Sequence, residues 1–234
     1  MRIQKPRNWI VLVCFAWLPA CAQQLQFLPE LDTNLKLNSL IRLNYQIKGD
    51  REGGDQEQFQ TGPTIQFYLK PLVKLKEVRA FDLNDAKQRF LVLETGYQYV
   101  IAPDVPTINR MLAIATVNFP LRVGFSISDQ NRVDLDWQKG KNFRWRYRNK
   151  TTLDRTVPIL SYHLIPYIAS EPYYESQYSK VSAMALFAGC LFPVGKHVQF
   201  DLYYEHENNT GKRPNKQDKE IGLALHLYFS VAKQ

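Results

Sequence analysis

The chain has 234 residues, 45% of them hydrophobic, with 30 Lys and Arg against 22 Asp and Glu, for a formal net charge of +8. That length holds one or two domains, and no internal stretch has the composition of a linker. The bases are dispersed rather than gathered into one patch, which argues against a nucleic-acid interface, and three cysteines supply neither a disulfide framework nor a cysteine metal cluster.

At the start, Arg2, Lys5 and Arg7 form a basic region, Trp9 to Leu18 is apolar and uncharged, and Ala20-Cys21-Ala22 fits a small-x-small cleavage site. Residues 1–22 therefore read as a secretory signal peptide, which leaves 23–234 as a single domain. The apolar run is too short for a spanning helix, which needs about 20 residues. Leu18-Pro19-Ala20-Cys21 is also close to a lipobox, in which Cys21 would carry lipid. Removing the three bases of the signal lowers the charge to +5, and Cys190 is then the one cysteine left, read as a small apolar wall residue.

The rest of the chain alternates with period two, the pattern of half-buried strands. Leu35, Leu37, Ile41, Leu43, Tyr45 and Ile47 alternate with Lys36, Asn38, Arg42, Asn44 and Gln46. Ile65, Phe67 and Leu69 follow, then Leu91, Leu93, Tyr97 and Tyr99 opposite Glu94 and Gln98, and more weakly Met111, Ala113, Ala115 and Val117. Leu121, Val123, Phe125 and Ile127 oppose Arg122, and the same parity resumes at Val133, Leu135 and Trp137 against Arg132, Asp134 and Asp136. The sharpest case puts Phe143, Trp145 and Tyr147 on one face and Arg144, Arg146, Arg148 and Lys150 on the other. Leu160, Tyr162, Leu164 and Ile168 make the next strand, and residues 181–192, apolar on both faces, have no readable direction. Val198, Phe200, Leu202 and Tyr204 oppose Asp201 and Glu205, and Ile221 to Phe229 closes the series.

This makes about ten strands, each near the length a tilted membrane strand needs, about 9–11 residues. Connections at 48–59, 101–108, 129–141, 170–180 and 208–218 read as long and those between as tight, the asymmetry of outer-membrane barrels with an even strand count. Residues 70–87 break the rule; they read either as an extra hairpin, which would make twelve strands, or as a small periplasmic excursion. Aromatic residues near strand ends, Trp137 and Trp145 among them, fit interfacial girdles. A charge facing lipid at mid-depth costs about 2–4 kcal/mol for Arg or Lys, so the expected architecture is an all-β, antiparallel up-and-down transmembrane barrel. Its apolar face meets outer-membrane lipids, and its lumen holds Glu94, Arg122, Arg132, Asp134, Asp136, Arg144, Arg146, Arg148, Lys150, Asp201 and Glu205. A soluble secreted β-protein, with the apolar face inward, is the competing architecture.

Glu220, Gly222, Leu225, Leu227 and Phe229 have a spacing that resembles the C-terminal signal read by barrel-assembly machinery, which the resemblance makes a partner. The stretch Phe143-Arg144-Trp145-Arg146-Tyr147-Arg148-Asn149, with Ile165-Pro166-Tyr167 and Glu171-Pro172-Tyr173-Tyr174, resembles an uncharacterised family of small bacterial outer-membrane β-barrels. The family implies an outer-membrane location and no activity. Tyr204 to Thr210, with Pro214-Asn215 beyond, resembles the His-x-Ser-Asn segment of outer-membrane lipid A deacylases, but Asn208 stands where the nucleophilic serine belongs, so no activated hydroxyl is present.

The four histidines have no metal-ligand spacing. Asp129 to Asp134 has oxygen spacing that could attract Ca²⁺ but lacks the glycine and terminal glutamate of a full loop. The sequence thus reads as a non-enzymatic, cofactor-free and metal-free outer-membrane barrel, structural or acting through its surface. A narrow, porin-like channel for a small anionic solute is the alternative, and a lipid-modifying enzyme comes after it.

Overall fold

The computed structural model describes residues 25–52, 56–69, 83–103, 105–121, 124–159, 162–211 and 215–231. The expected signal peptide, Cys21, Arg122 and most of 70–87 lie outside them. The described chain is almost all strand: β1 (Leu25–Lys36), β2 (Ile41–Glu52), β3 (Gln56–Leu69), β4 (Leu91–Ile101), β5 (Ile108–Pro120), β6 (Phe125–Gln138), β7 (Arg144–Arg155), β8 (Val157–Ile159), β9 (Tyr162–Glu175), β10 (Lys180–Val194), β11 (Val198–Asn209) and β12 (Lys216–Ser230). Each pairs antiparallel with its neighbour, and β12 returns to β1, closing the sheet. The short β8 pairs only with β9 and stands outside the ring.

Eleven strands therefore form the barrel, close to the ten expected, but the count is odd. Successive hairpins reverse direction, so the first and last of an odd series point the same way. β1 and β12 accordingly pair in parallel, from Leu25 opposite Lys219 to Lys36 opposite Ser230. Residues 25 and 231 consequently lie at opposite ends, not together as an even count requires. Strands about 4.8 Å apart and tilted about 40° close on a cylinder about 22 Å across.

β1 is the strand the sequence reading missed. It merges with β2 in sequence because Leu37 and Ile41 continue the apolar parity of Leu35, yet the chain reverses there. The Asn38 side chain accepts hydrogen bonds from the Leu40 and Ile41 backbone N–H groups, at 2.8 and 2.9 Å, and so holds the turn. The long connections also contract: the strands run on, leaving six residues between β4 and β5, five between β6 and β7, and four between β9 and β10. The expected loop asymmetry is absent because polar residues at 129–131, 171 and 208–209 belong to strands.

Side chains alternate as the period requires. Leu43, Phe67, Leu93, Met111, Trp137, Trp145, Leu202 and Leu223 are exposed on the outer face, while Gln60, Gln98, Arg110, Asp134, Asp136, Glu171 and Gln199 are buried within. Outer aromatics touch in pairs towards one rim: Tyr97 with Tyr99, Trp137 with Phe143 and Trp145 with Tyr174. The direction of 181–192 is set by a register shift between Val181 and Ala183. A bulge at Ser182 brings Val181, Met184 and Leu186 all to the outside and buries Ala183, Ala185 and Phe187.

Glycine has a structural use on the inner face of β9–β12. Tyr167 pairs with Gly189, Gly189 with Tyr203, and Tyr203 with Gly222. A Cβ at Gly222 would stand 2.0 Å from the Tyr203 ring, and one at Gly189 would stand 2.6 Å from the Tyr167 ring. Each lumenal tyrosine thus lies on a bare backbone one strand over.

Candidate functional site

The lumen is the site. Its lining comes from strands whose inward positions are polar, so ion pairs rather than apolar packing fill it. On β5 and β6, Arg110 makes a two-pronged contact with Asp136 at 2.7 and 2.8 Å and a third bond to Gln60 at 3.3 Å. One turn of the pleat away, Asp134 is 0% exposed and is shared by three guanidiniums. Arg132 Nε reaches it at 2.6 Å, Arg148 Nη2 at 2.9 Å and Arg146 Nε at 3.5 Å. Arg148 also stands 3.7 Å from Glu171 on β9. Lys150 lies 3.9 Å from the centre of the Phe187 ring.

The opposite wall is acidic. Asp32 on β1 meets His226 on β12 at 2.9 Å, Glu30 accepts a hydrogen bond from Gln46 at 2.7 Å, and Asp201 accepts from the Tyr167 hydroxyl at 3.0 Å. Glu205 on β11 pairs directly across from Glu220 on β12.

One mouth is crossed by the part of the 70–87 segment that the structure describes, with the few residues after it. A short 3₁₀ turn, Asp85–Gln88, is capped by Asn84. Asp85 binds Lys36 of β1 at 2.6 Å, and also Arg42 of β2 and the Tyr68 hydroxyl of β3. Lys87 binds Asp154 of β7 at 2.8 Å, and Asn118 of β5 donates to the backbone oxygens of Ala86 and Arg89. The turn is therefore held by five strands around the ring. A cavity of about 460 Å³ extends from it to Glu175, Asn209 and Asp218 near the other rim.

The structure places Glu94, Arg132, Asp134, Asp136, Arg146, Arg148, Lys150, Asp201 and Glu205 on the lumenal side, and Asp134 with its arginines forms one cluster. Glu94 stands apart, hydrogen-bonded to Gln66 at 2.9 Å. Arg144 lies at the rim, 3.4 Å from Gln177. Arg110, Glu171, Asp154 and Lys87 were missed. Arg110 carried a readable signal, since Met111 and Ala113 put it on the polar parity; the others fell in segments assigned to loops or turns. Leu225, Leu227 and Phe229 share the outward parity of β12, and Gly222 faces inward under Tyr203.

The Ca²⁺ spacing at 129–134 does not converge. Asp129 and Asn131 point out of the barrel while Arg132 and Asp134 point in. Outside, Asp129 accepts from Asn131 at 2.9 Å, Asn149 at 2.8 Å and Thr151 at 3.3 Å. The outer face of β6 thus carries a charge at Asp129, in a stretch that the sequence reading assigned to a connection. Among the described residues no group of three His, Cys, Asp or Glu is arranged to hold a metal ion. On β11, His206 and Asn208 alternate to the outside with no lumenal partner role.

No protein-family model and no curated protein sequence matches the chain. Of the expected family resemblance, the closed barrel is what the structure bears out. Among solved structures the chain is similar to a bacterial polysaccharide outer membrane secretin, with a TM-score of 0.51 and 6% sequence identity, over 79% of this chain and 63% of that one. The chain thus spans less than two thirds of that neighbour, and at this identity the likeness extends to the fold alone.

Proposed function

We propose that the chain is an outer-membrane β-barrel, without enzymatic chemistry, whose lumen is charge-paired and barred at one mouth in its resting state. The observation that carries this reading is the inversion of polarity. Leu43, Leu93, Trp137, Leu202 and Leu223 are exposed outside, while Arg110, Asp134, Asp136 and Glu205 are buried inside. Water would expel the first set, whereas hydrocarbon would welcome it and would penalise the second. The aromatic pairs towards one rim fit the headgroup level. Outer-membrane lipid and the barrel-assembly machinery are the partners this reading requires.

The test is fractionation with gel mobility. The reading predicts outer-membrane recovery and a folded band that shifts on boiling; recovery as a soluble periplasmic protein would refute it. A second reading, a narrow channel, is favoured by the cavity that runs between the rims. Planar-bilayer recording separates the two: the resting barrel passes no steady unitary current, and a channel does.

A further inference from the structure

The two charged walls face each other across a space of ligand size. Going round the ring, β6 and β7 carry Arg132, Arg146, Arg148 and Lys150, and β11, β12 and β1 carry Asp201, Glu205, Glu220, Glu30 and Asp32, all lining the one cavity. From β7 to β12 is four steps and from β12 round to β6 is six, so the walls are nearly opposite. The basic wall is over-supplied: three guanidiniums share Asp134, which is fully buried beneath them and does not line the cavity. The Nε of Arg148 is buried without a hydrogen-bond partner. An incoming solute therefore meets mainly arginines on one side, with Glu171 beside Arg148, and mainly carboxylates on the other, with Lys48 opposite Glu30 and His226 on Asp32.

From this arrangement, and building on the barrel reading above, we infer that the lumen binds a small zwitterion lengthwise across the barrel. Its carboxylate lies on Arg132, Arg146 and Arg148, and its ammonium on Asp201 and Glu30. A plain dianion would be attracted by one wall and repelled by the other; a diamine would suffer the reverse. Guanidinium pairs suit a carboxylate because the two meet as fork and fork. The cavity of about 460 Å³ falls among small-molecule sites, about 300–1,000 Å³. Side chains reaching in from a cylinder about 22 Å across leave a gap of about 10 Å. An extended tripeptide, at about 3.5 Å per residue, spans about 10 Å from end to end, so a short peptide with free termini has the right charge separation.

The experiment uses the full chain refolded in detergent, with its heat-modifiable band checked on the same sample, and isothermal titration with three probes. These are trialanine, its N-acetyl form (an anion only) and its C-amide form (a cation only). Trialanine is expected to bind saturably and each capped form at least about tenfold more weakly, the worth of one charge-assisted contact. Arg148→Gln and, separately, Asp201→Asn are each expected to lower trialanine affinity about tenfold. Asp201→Asn keeps an acceptor for Tyr167, so it guards against loss of folding in the arginine variant. No trialanine binding to a heat-modifiable barrel overturns the inference and leaves the barrel reading intact. Equal binding of the acetylated form reduces the site to an anion site, equal binding of the amide to a cation site, and either refutes the zwitterion. A chain without a heat-modifiable band refutes the barrel reading itself and the site with it.

Discussion

Replacing Asp134 by asparagine tests whether the lumen is held by charge. The side chain keeps its size and loses its charge, so Arg132, Arg146 and Arg148 are left facing one another around a neutral amide. Two of the three contacts are short, at 2.6 and 2.9 Å, and the carboxylate is fully buried. A hydrogen bond to a charged group contributes about 1.5–3 kcal/mol, and removing one partner from a buried ion pair costs about 3–5 kcal/mol. The expected loss for Asp134→Asn is therefore about 3–5 kcal/mol. Urea unfolding of the barrel in lipid vesicles measures it by fluorescence of Trp137 and Trp145, which lie on the outer faces of the same two strands. The midpoint should fall with the slope unchanged. A loss below about 1 kcal/mol would refute the reasoning, because it would mean that water in the lumen already screens the cluster.

Other perturbations test other parts of the account. Gly222→Ala puts a methyl where the Tyr203 ring lies, 2.0 Å away. It should cost about 1–3 kcal/mol by overpacking, and Tyr203→Ala in the same chain should recover part of that; the readout is the temperature of the gel-mobility shift. Asp154→Asn weakens the Lys87 contact that ties the 3₁₀ turn to β7, and should raise the frequency of openings in planar bilayers without altering the folded band. Exchanging the outward polar cluster as a set, Asp129→Leu, Asn131→Leu, Asn149→Leu and Thr151→Val, should leave the barrel as stable in vesicles or stabilise it by about 1–3 kcal/mol, since apolar replacement of a whole low-dielectric network is neutral to favourable. A loss of more than about 1 kcal/mol in urea unfolding would show that the cluster is structurally required.

Where one face is apolar and the other charged, sequence was enough. Phe143 to Arg148 alternates without a break, and β7 stands with Arg146 and Arg148 inward as that alternation demands. Where both faces are polar, periodicity disappears: Asp129, Gln130 and Asn131 look like a loop, yet lie in β6 with the outer pair tied to Asn149 and Tyr147. Where both faces are apolar, as in 181–192, direction depends on the Ser182 bulge, which no local pattern announces. Strand β1 stayed hidden for a third reason. Pro29 and Thr33 interrupt its outer face, and Asn38 makes a turn inside a run of leucines. Recognising that one extra strand would have made the count odd and predicted the parallel closure. The partners inside the lumen were legible by parity but not by distance. Asp134 gathers three arginines from two strands, while Asp136, two residues on, takes Arg110 from a third.

The central claim is that apolar side chains meet lipid and charged ones meet the lumen, and β11 exposes it most directly. Nitroxide labels placed singly at 199 to 205, in the barrel reconstituted in bilayers with Cys190 replaced by serine, report the access of oxygen, which concentrates in lipid. The account predicts high oxygen access at 200, 202 and 204 and low access at 199, 201, 203 and 205. Uniform access along the strand, or maxima at the odd positions, would contradict it.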